Sequence, residues 1–198
     1  GAAPINWAII NGETKTGVTT FFIDDKIDTG AMILSSEIEI TENENAGELH
    51  DRLKDLGCIT VVDTLKLIES GTVSTIVQQE NTDINTAYKL DKDNCKIDWT
   101  KSGIEIHNLI RGLSPYPASW CYFHEKDQEW NVKIYEAHYI EEEHSVDVGN
   151  IITTKKELKV AVKDGFVQIK SLQMPGKKKM TTQELLNGIV FSEKATVR

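Results

Sequence analysis

Chemistry is most concentrated in Val18–Ile40, VTTFFIDDKIDTGAMILSSEIEI, where two β-prone runs flank Ile27-Asp28-Thr29-Gly30-Ala31. A carboxylate beside a Thr-Gly pair has two uses. It can hydrogen-bond its own turn, the commonest role of Asp in such loops. It can also be presented from a strand end, with glycine permitting a sharp backbone turn, as a group that organises proton transfer in a cleft. The residue types alone leave both uses open. A second candidate is the segment from Lys155 to Lys179, with eight lysines against Glu157 and Asp164 only. It ends in Lys177-Lys178-Lys179, and such a run is either a solvated face or a surface for phosphates.

Positioning these groups falls to elements that the periodicity predicts. Val18–Ile23 and Ala31–Ile40 read as strands joined by the Asp-Thr-Gly turn. Asn45 then caps a long helix, with Glu48 as its capping-box partner. Leu49, Leu53, Leu56, Ile59, Val62, Leu65 and Ile68 recur at helical spacing, and Gly71 ends the helix. Two strands and a long helix suit the tail of an α/β sheet. Residues 72–92 turn polar and read as a connector. Ser102 with Glu105 starts a shorter helix carrying Ile104, Leu109 and Ile110, and Pro115 and Pro117 break it. Strand-like runs follow at Ser119–Phe123, Val132–Ile140, Asn150–Thr154, Leu158–Val162 and Phe166–Leu172. With turns such as Asp164-Gly165 between them, they indicate a small antiparallel barrel or sandwich. A last short helix runs from the Thr181 cap, with Glu184, to Gly188.

Composition narrows the class. At 198 residues, 39% hydrophobic and 27% charged, the chain has the profile of an ordinary globular protein, and no apolar run is long enough to span a bilayer. Neither a basic leader nor a long apolar leader is visible. Cys58, Cys95 and Cys121 are odd in number and form no C-x-x-C pair, which argues against a disulfide framework or zinc site and suits a reducing cytoplasm. The net charge of −9 argues against nucleic-acid binding until the chain is divided. Residues 1–92 hold seven Lys/Arg against sixteen Asp/Glu, whereas residues 93–198 hold fifteen of each. Two modules with different electrostatic tasks are expected. The apolar start GAAPINWAIING, without an initiator Met, reads as a piece of something longer.

Taken in order, GAAPI, ETKTGVT, DDKIDTGAMI, IDW, IRGLSPYPASW, SLQMPGKKKM and ELLNG resemble the methionyl-tRNA formyltransferases over nearly the whole chain. The resemblance implies residues 1–73 as the C-terminal part of a Rossmann-like formyltransferase domain, 74–92 as a linker and 93–198 as an OB-like, mainly antiparallel barrel that binds tRNA. It implies formyl transfer from 10-formyltetrahydrofolate to initiator methionyl-tRNA, by a cytoplasmic monomer without a metal. Asp28 is then the catalytic carboxylate. Ile23, Asp24, Asp25, Lys26 and Ile27 become the pterin-contacting loop, and Lys177, Lys178 and Lys179 contact tRNA phosphates. In this family an upstream signature, N-x-H-x-S-L-L-P-R-x-R-G, supplies a catalytic Asn and His. It is absent here, so the piece alone is expected to be inactive. Arg111 is expected to brace the junction, Trp99, Trp120 and Trp130 to be core or interface aromatics, His107 to be structural, and Cys121 to be buried. The competing readings are a sugar-nucleotide formyltransferase, a non-catalytic RNA-binding module and, more weakly, a formyl hydrolase domain of an aldehyde dehydrogenase fusion.

Overall fold

The computed structural model describes residues 1–25, 29–78 and 85–198. Helix α1 (Pro4–Ile10) occupies the apolar start, where the sequence reading placed no element. Proline in its first turn suits a helix entry, since its missing N–H has no intrahelical partner there. Strands β1 (Lys15–Phe21) and β2 (Met32–Glu39) form an antiparallel two-stranded sheet. β1 starts earlier than the expected Val18 and ends before Ile23.

Helix α2 (Ala46–Glu69) begins with the expected capping box, the Asn45 side chain accepting from Gly47 and Glu48 N–H while Glu48 accepts from Asn45 N–H. It ends at Gly71, whose φ of +66° is one that glycine adopts without strain. Ala46, Leu49, Leu53, Thr60 and Thr64 are its buried residues, whereas Ile59, Val62, Leu65 and Ile68 are exposed in this chain. Hydroxyls line the contact with the strands: Thr60 donates to Ser36 Oγ at 2.9 Å, and Thr64 and Thr20 share a 2.8 Å bond. The helix therefore seats on the polar side chains of the strands. Ile9, Ile40, Ala46, Leu49 and Leu53 form a small core there.

The connector returns across α1: Ala2 N–H donates to Ala87 carbonyl, and Trp7 Nε1–H to Tyr88 carbonyl. Helix α3 (Gly103–Leu113) carries the expected Ser102/Glu105 capping box. α1 crosses it closely at Gly112, where a Cβ would lie 2.7 Å from the Ile10 side chain. Strands β3 (Ser119–Glu125), β4 (Gln128–Glu141), β5 (Ile151–Thr153), β6 (Leu158–Val162), β7 (Gly165–Gln173) and β8 (Met180–Thr181) follow, then helix α4 (Thr182–Leu186) and strand β9 (Thr196–Val197). The strand order is β5-β6-β7-β4-β3-β9, antiparallel throughout, with β8 on β7. The sheet nearly closes on itself. Ile151 N–H donates to Ala195 carbonyl and Val197 N–H to Gly149 carbonyl, joining the two ends. The inward set includes Cys121, Phe123, Val132, Ile134, Val160, Val167, Ile169 and Leu172, far outnumbering the small core. Among the described residues no helix is long and apolar enough to cross a membrane.

Candidate functional site

The loop with the Asp-Thr-Gly sequence connects β1 to β2, and its neck is tied from several directions. Phe22 N–H donates to Ala31 carbonyl at 3.0 Å, and Gln78 Nε2–H to Gly30 carbonyl at 2.9 Å. Met32 and Ile76 exchange backbone bonds at 2.8 and 2.9 Å. Gly30 is needed for close approach, since a Cβ there would lie 1.5 Å from the Phe22 carbonyl oxygen. Its φ is not in the left-handed range, so steric clearance and not turn handedness selects the glycine. Thr29 Oγ1 donates to the Asp24 carboxylate, 2.8 and 3.0 Å from its two oxygens.

Asp28, Lys26 and Ile27 lie outside the described residues. Ile23, Asp24 and Asp25 are exposed, Ile23 by 92%, and Asp24 is engaged by Thr29. Apolar Phe22, Ile76 and Val77 are also exposed on the segments that close the neck. A flat ligand beside the loop would find apolar wall there. Gln78 was not legible, because it sits in the polar connector and acts through tertiary contact.

On the barrel, Lys177, Lys178 and Lys179 lie exposed in the turn between β7 and β8. Gln173 Nε2–H donates to Lys177 carbonyl at 2.8 Å, and Lys179 Nζ lies 4.8 Å from the Tyr135 ring centroid. Tyr135 reaches this outer face by alternation after inward Val132 and Ile134, and the register of β4 with β7 shifts between Ile134 and Ala137. Lys179 also lines a polar cavity of about 230 Å³ with His107, Arg111, Tyr135 and His138, between the start of α2 and the barrel. Tyr135 and His138 went unread, since a bulge leaves no trace in residue spacing.

Arg111 braces the junction as expected. Its Nη1 donates to the carbonyls of Thr41 and Glu44 at 3.3 and 3.0 Å, and its Nε to Asn108 Oδ1. His107 is buried with Nδ1 3.1 Å from the Ala137 carbonyl. Burial foremost, then the nearby Arg111 charge, push its pKa down, against backbone contacts from Glu42 and Ala137 that favour the charged ring. Cys121 is fully enclosed, and burial drives its thiol pKa upward, so it is an inert apolar residue. Trp99 is in the core and Trp130 packs against it. Trp120 is different: it stands on the outer face of β3 with two lysines on its ring.

Comparison with known proteins places the whole arrangement. A formyl transferase C-terminal domain matches residues 89–190, and a formyl transferase domain matches residues 1–65. A methionyl-tRNA formyltransferase of Flavobacterium johnsoniae is 68% identical across 100% of this chain and 62% of its own length. One from Bacteroides thetaiotaomicron is 44% identical across 98% of this chain and 62% of its own. The chain thus spans about 62% of the length of these curated relatives. The crystal structure of an N-formyltransferase from Helicobacter canadensis, in complex with folinic acid and dTDP-3-aminofucose, superposes with a TM-score of 0.64. It is 23% identical and covers 91% of this chain and 61% of that one, a likeness of fold. With both formyl transferase domains matched in order, and the neck of the Asp-Thr-Gly loop and the near-closed barrel in place, the chain belongs to the formyl transferase family.

Proposed function

We propose that the protein represented by this chain transfers a formyl group from 10-formyltetrahydrofolate to the amino group of initiator methionyl-tRNA, for translation initiation in the cytoplasm. The observation that carries this reading is the 68% identity over the full chain to a protein named methionyl-tRNA formyltransferase. Residues 1–73 are read as the end of a Rossmann-like catalytic domain, 74–92 as a linker and 93–198 as an OB-like tRNA-binding barrel. The matched segments at 1–65 and 89–190 and the two separate cores support that division. A monomer without a metal completes the reading.

In the reaction the amine attacks the formyl carbon, a new N–C bond forms, and the bond from that carbon to the folate nitrogen breaks. A proton leaves the amine and the folate nitrogen gains one. Asp28 is assigned to organise that proton transfer, and hydrogen-bond donors must meet the oxyanion that develops. The neck contacts at Gly30, Gln78 and Phe22 support the assignment by fixing the loop's ends. Ile23, Asp24, Asp25, Lys26 and Ile27 are assigned to the pterin, and the exposed apolar neighbours Phe22, Ile76 and Val77 support that assignment. Lys177, Lys178 and Lys179 are assigned to tRNA phosphates, as point charges without base preference.

The test offers the full-length protein methionyl-tRNA and an amino-sugar nucleotide side by side, with 10-formyltetrahydrofolate. Formylation of methionyl-tRNA is the expected result, and Asp28→Ala should lower kcat by at least about a hundredfold, as for lost proton transfer. Transfer to the sugar nucleotide instead would assign the protein to the sugar-modifying branch. An active Asp28→Ala protein would overturn the role of that carboxylate.

A further inference from the structure

We infer that the outer face of the barrel around Trp120 is a further RNA-contacting surface, which stacks one unpaired base on the Trp120 ring, braced edge-on by Tyr122, while Lys92, Lys96 and Lys133 meet the neighbouring phosphates. The inference rests on the tRNA reading above and gives the barrel a site beyond the lysine turn. β3 alternates, so that Ser119, Cys121 and Phe123 point inward and Trp120 and Tyr122 outward. Trp120 pairs in register with Lys133 of β4, and Lys133 with Gln173 of β7. On its other side Trp120 is bridged by Lys96. The row Lys96–Trp120–Lys133–Gln173 therefore crosses the sheet, and at one position per strand it spans roughly 15 Å. Its far end holds the Lys177 carbonyl through Gln173 and accepts the Tyr135 hydroxyl at 2.8 Å. The row is thus continuous with the Lys177–Lys179 turn.

The rings are fixed before any ligand arrives. Trp120 Nε1–H donates to Lys92 carbonyl at 2.8 Å, and Tyr122 meets the indole edge-on at 5.4 Å and 89°. Lys92 and Lys96 lie 5.3 and 5.6 Å from the Trp120 centroid, and Lys96 lies 5.5 Å from that of Tyr122. Among the described residues, ion pairs involve other cations, and none of Lys92, Lys96 and Lys133 pairs with a carboxylate. Arg198, beyond Tyr122, is by contrast paired with Glu129. Lysines resting on aromatic faces without carboxylate partners can exchange the ring for a phosphate, leaving the ring to a base. That combination of stacking platform and cations is the chemistry of single-strand recognition.

The test is fluorescence anisotropy with a labelled single-stranded RNA decamer and a fully paired, blunt-ended RNA duplex, both titrated with this chain. Trp120→Leu should weaken the decamer about tenfold and leave the duplex unchanged, because a stacked base is lost. Trp120→Phe, which keeps a ring and loses the bond to Lys92, should retain most of the affinity. Lys133→Ala, an exposed change that does not threaten folding, should cut the salt slope for the decamer by roughly 0.7. Replacing Lys177, Lys178 and Lys179 by Ala should weaken both RNAs. If only that triple variant weakens binding, the Trp120 surface is refuted and the tRNA reading stands. If the wild-type chain binds neither RNA, both fall.

Discussion

The pKa of His107 is depressed by its surroundings: burial against the barrel foremost, and then the Arg111 charge, outweigh the Glu42 and Ala137 backbone contacts that favour the charged ring. Nδ1 lies 3.1 Å from the Ala137 carbonyl, and protonation would place a charge in a poorly solvated site. The sign of the pH effect follows. The folded pKa lies below the unfolded one, so as pH falls through about 6.5 the unfolded state takes up the proton first. Stability is then lost progressively, down to the depressed folded pKa. Carboxylates held low by hydrogen bonds, such as Asp98 and Glu105, act in the same direction but at lower pH. Thermal midpoints between pH 7.5 and 5.5 should therefore fall more steeply for the wild-type chain than for His107→Gln, which keeps an amide donor and cannot titrate. Equal slopes would remove His107 as the cause. At this same scale, Gly30 was legible as special but for a different reason. Sequence suggests freedom to turn, whereas the structure requires clearance for the Phe22 carbonyl.

At the scale of elements, the helix starts were the most legible features, because a capping box is local chemistry three residues long. Asn45/Glu48, Ser102/Glu105 and Thr181/Glu184 all close as read. Ser102→Ala should cost about 1 kcal/mol, measured as a shift of the urea midpoint at unchanged m-value. A neutral substitution would mean that the packing of Gly103 under the Tyr139 ring fixes this helix start unaided. The seating of α2 was partly legible. Apolar periodicity found Leu49 and Leu53, but not the hydroxyl contacts of Thr60 with Ser36 and of Thr64 with Thr20, which depend on neighbours from other elements. Strand existence in the barrel was similarly readable from alternation, while β8, β9 and the irregular stretch of β4 depend on cross-strand contacts. As for the candidate site, Lys177–Lys179 could be read directly from the sequence, whereas Gln78, Tyr135 and Trp120 gained their roles only through tertiary neighbours.

The whole molecule couples two cores of very different size through α3. The small core of Ile9, Ile40, Ala46, Leu49 and Leu53 lies against α3, and the barrel core lies on the other side of that helix. α1 meets α3 through Gly112, with Asn6 Nδ2–H donating to the Gly112 carbonyl at 2.8 Å. Arg111 carries much of the remaining coupling, because one half-buried guanidinium serves the carbonyls of Thr41 and Glu44 just ahead of α2. Arg111→Met keeps the aliphatic bulk and deletes the donors, at a cost on the order of 2 kcal/mol for charge-assisted bonds. That loss should fall unevenly. Local opening takes place where apolar burial is sparse, so amide exchange should accelerate through residues 41–56 while β4 and β7 stay protected. Hydrogen exchange read by mass spectrometry separates the two regions directly. A uniform acceleration across both would mean that the chain opens as one cooperative unit and that the junction transmits more than these bonds supply. Selective acceleration would identify Arg111 as the tie that holds the Asp-Thr-Gly module in register with the lysine face of the barrel.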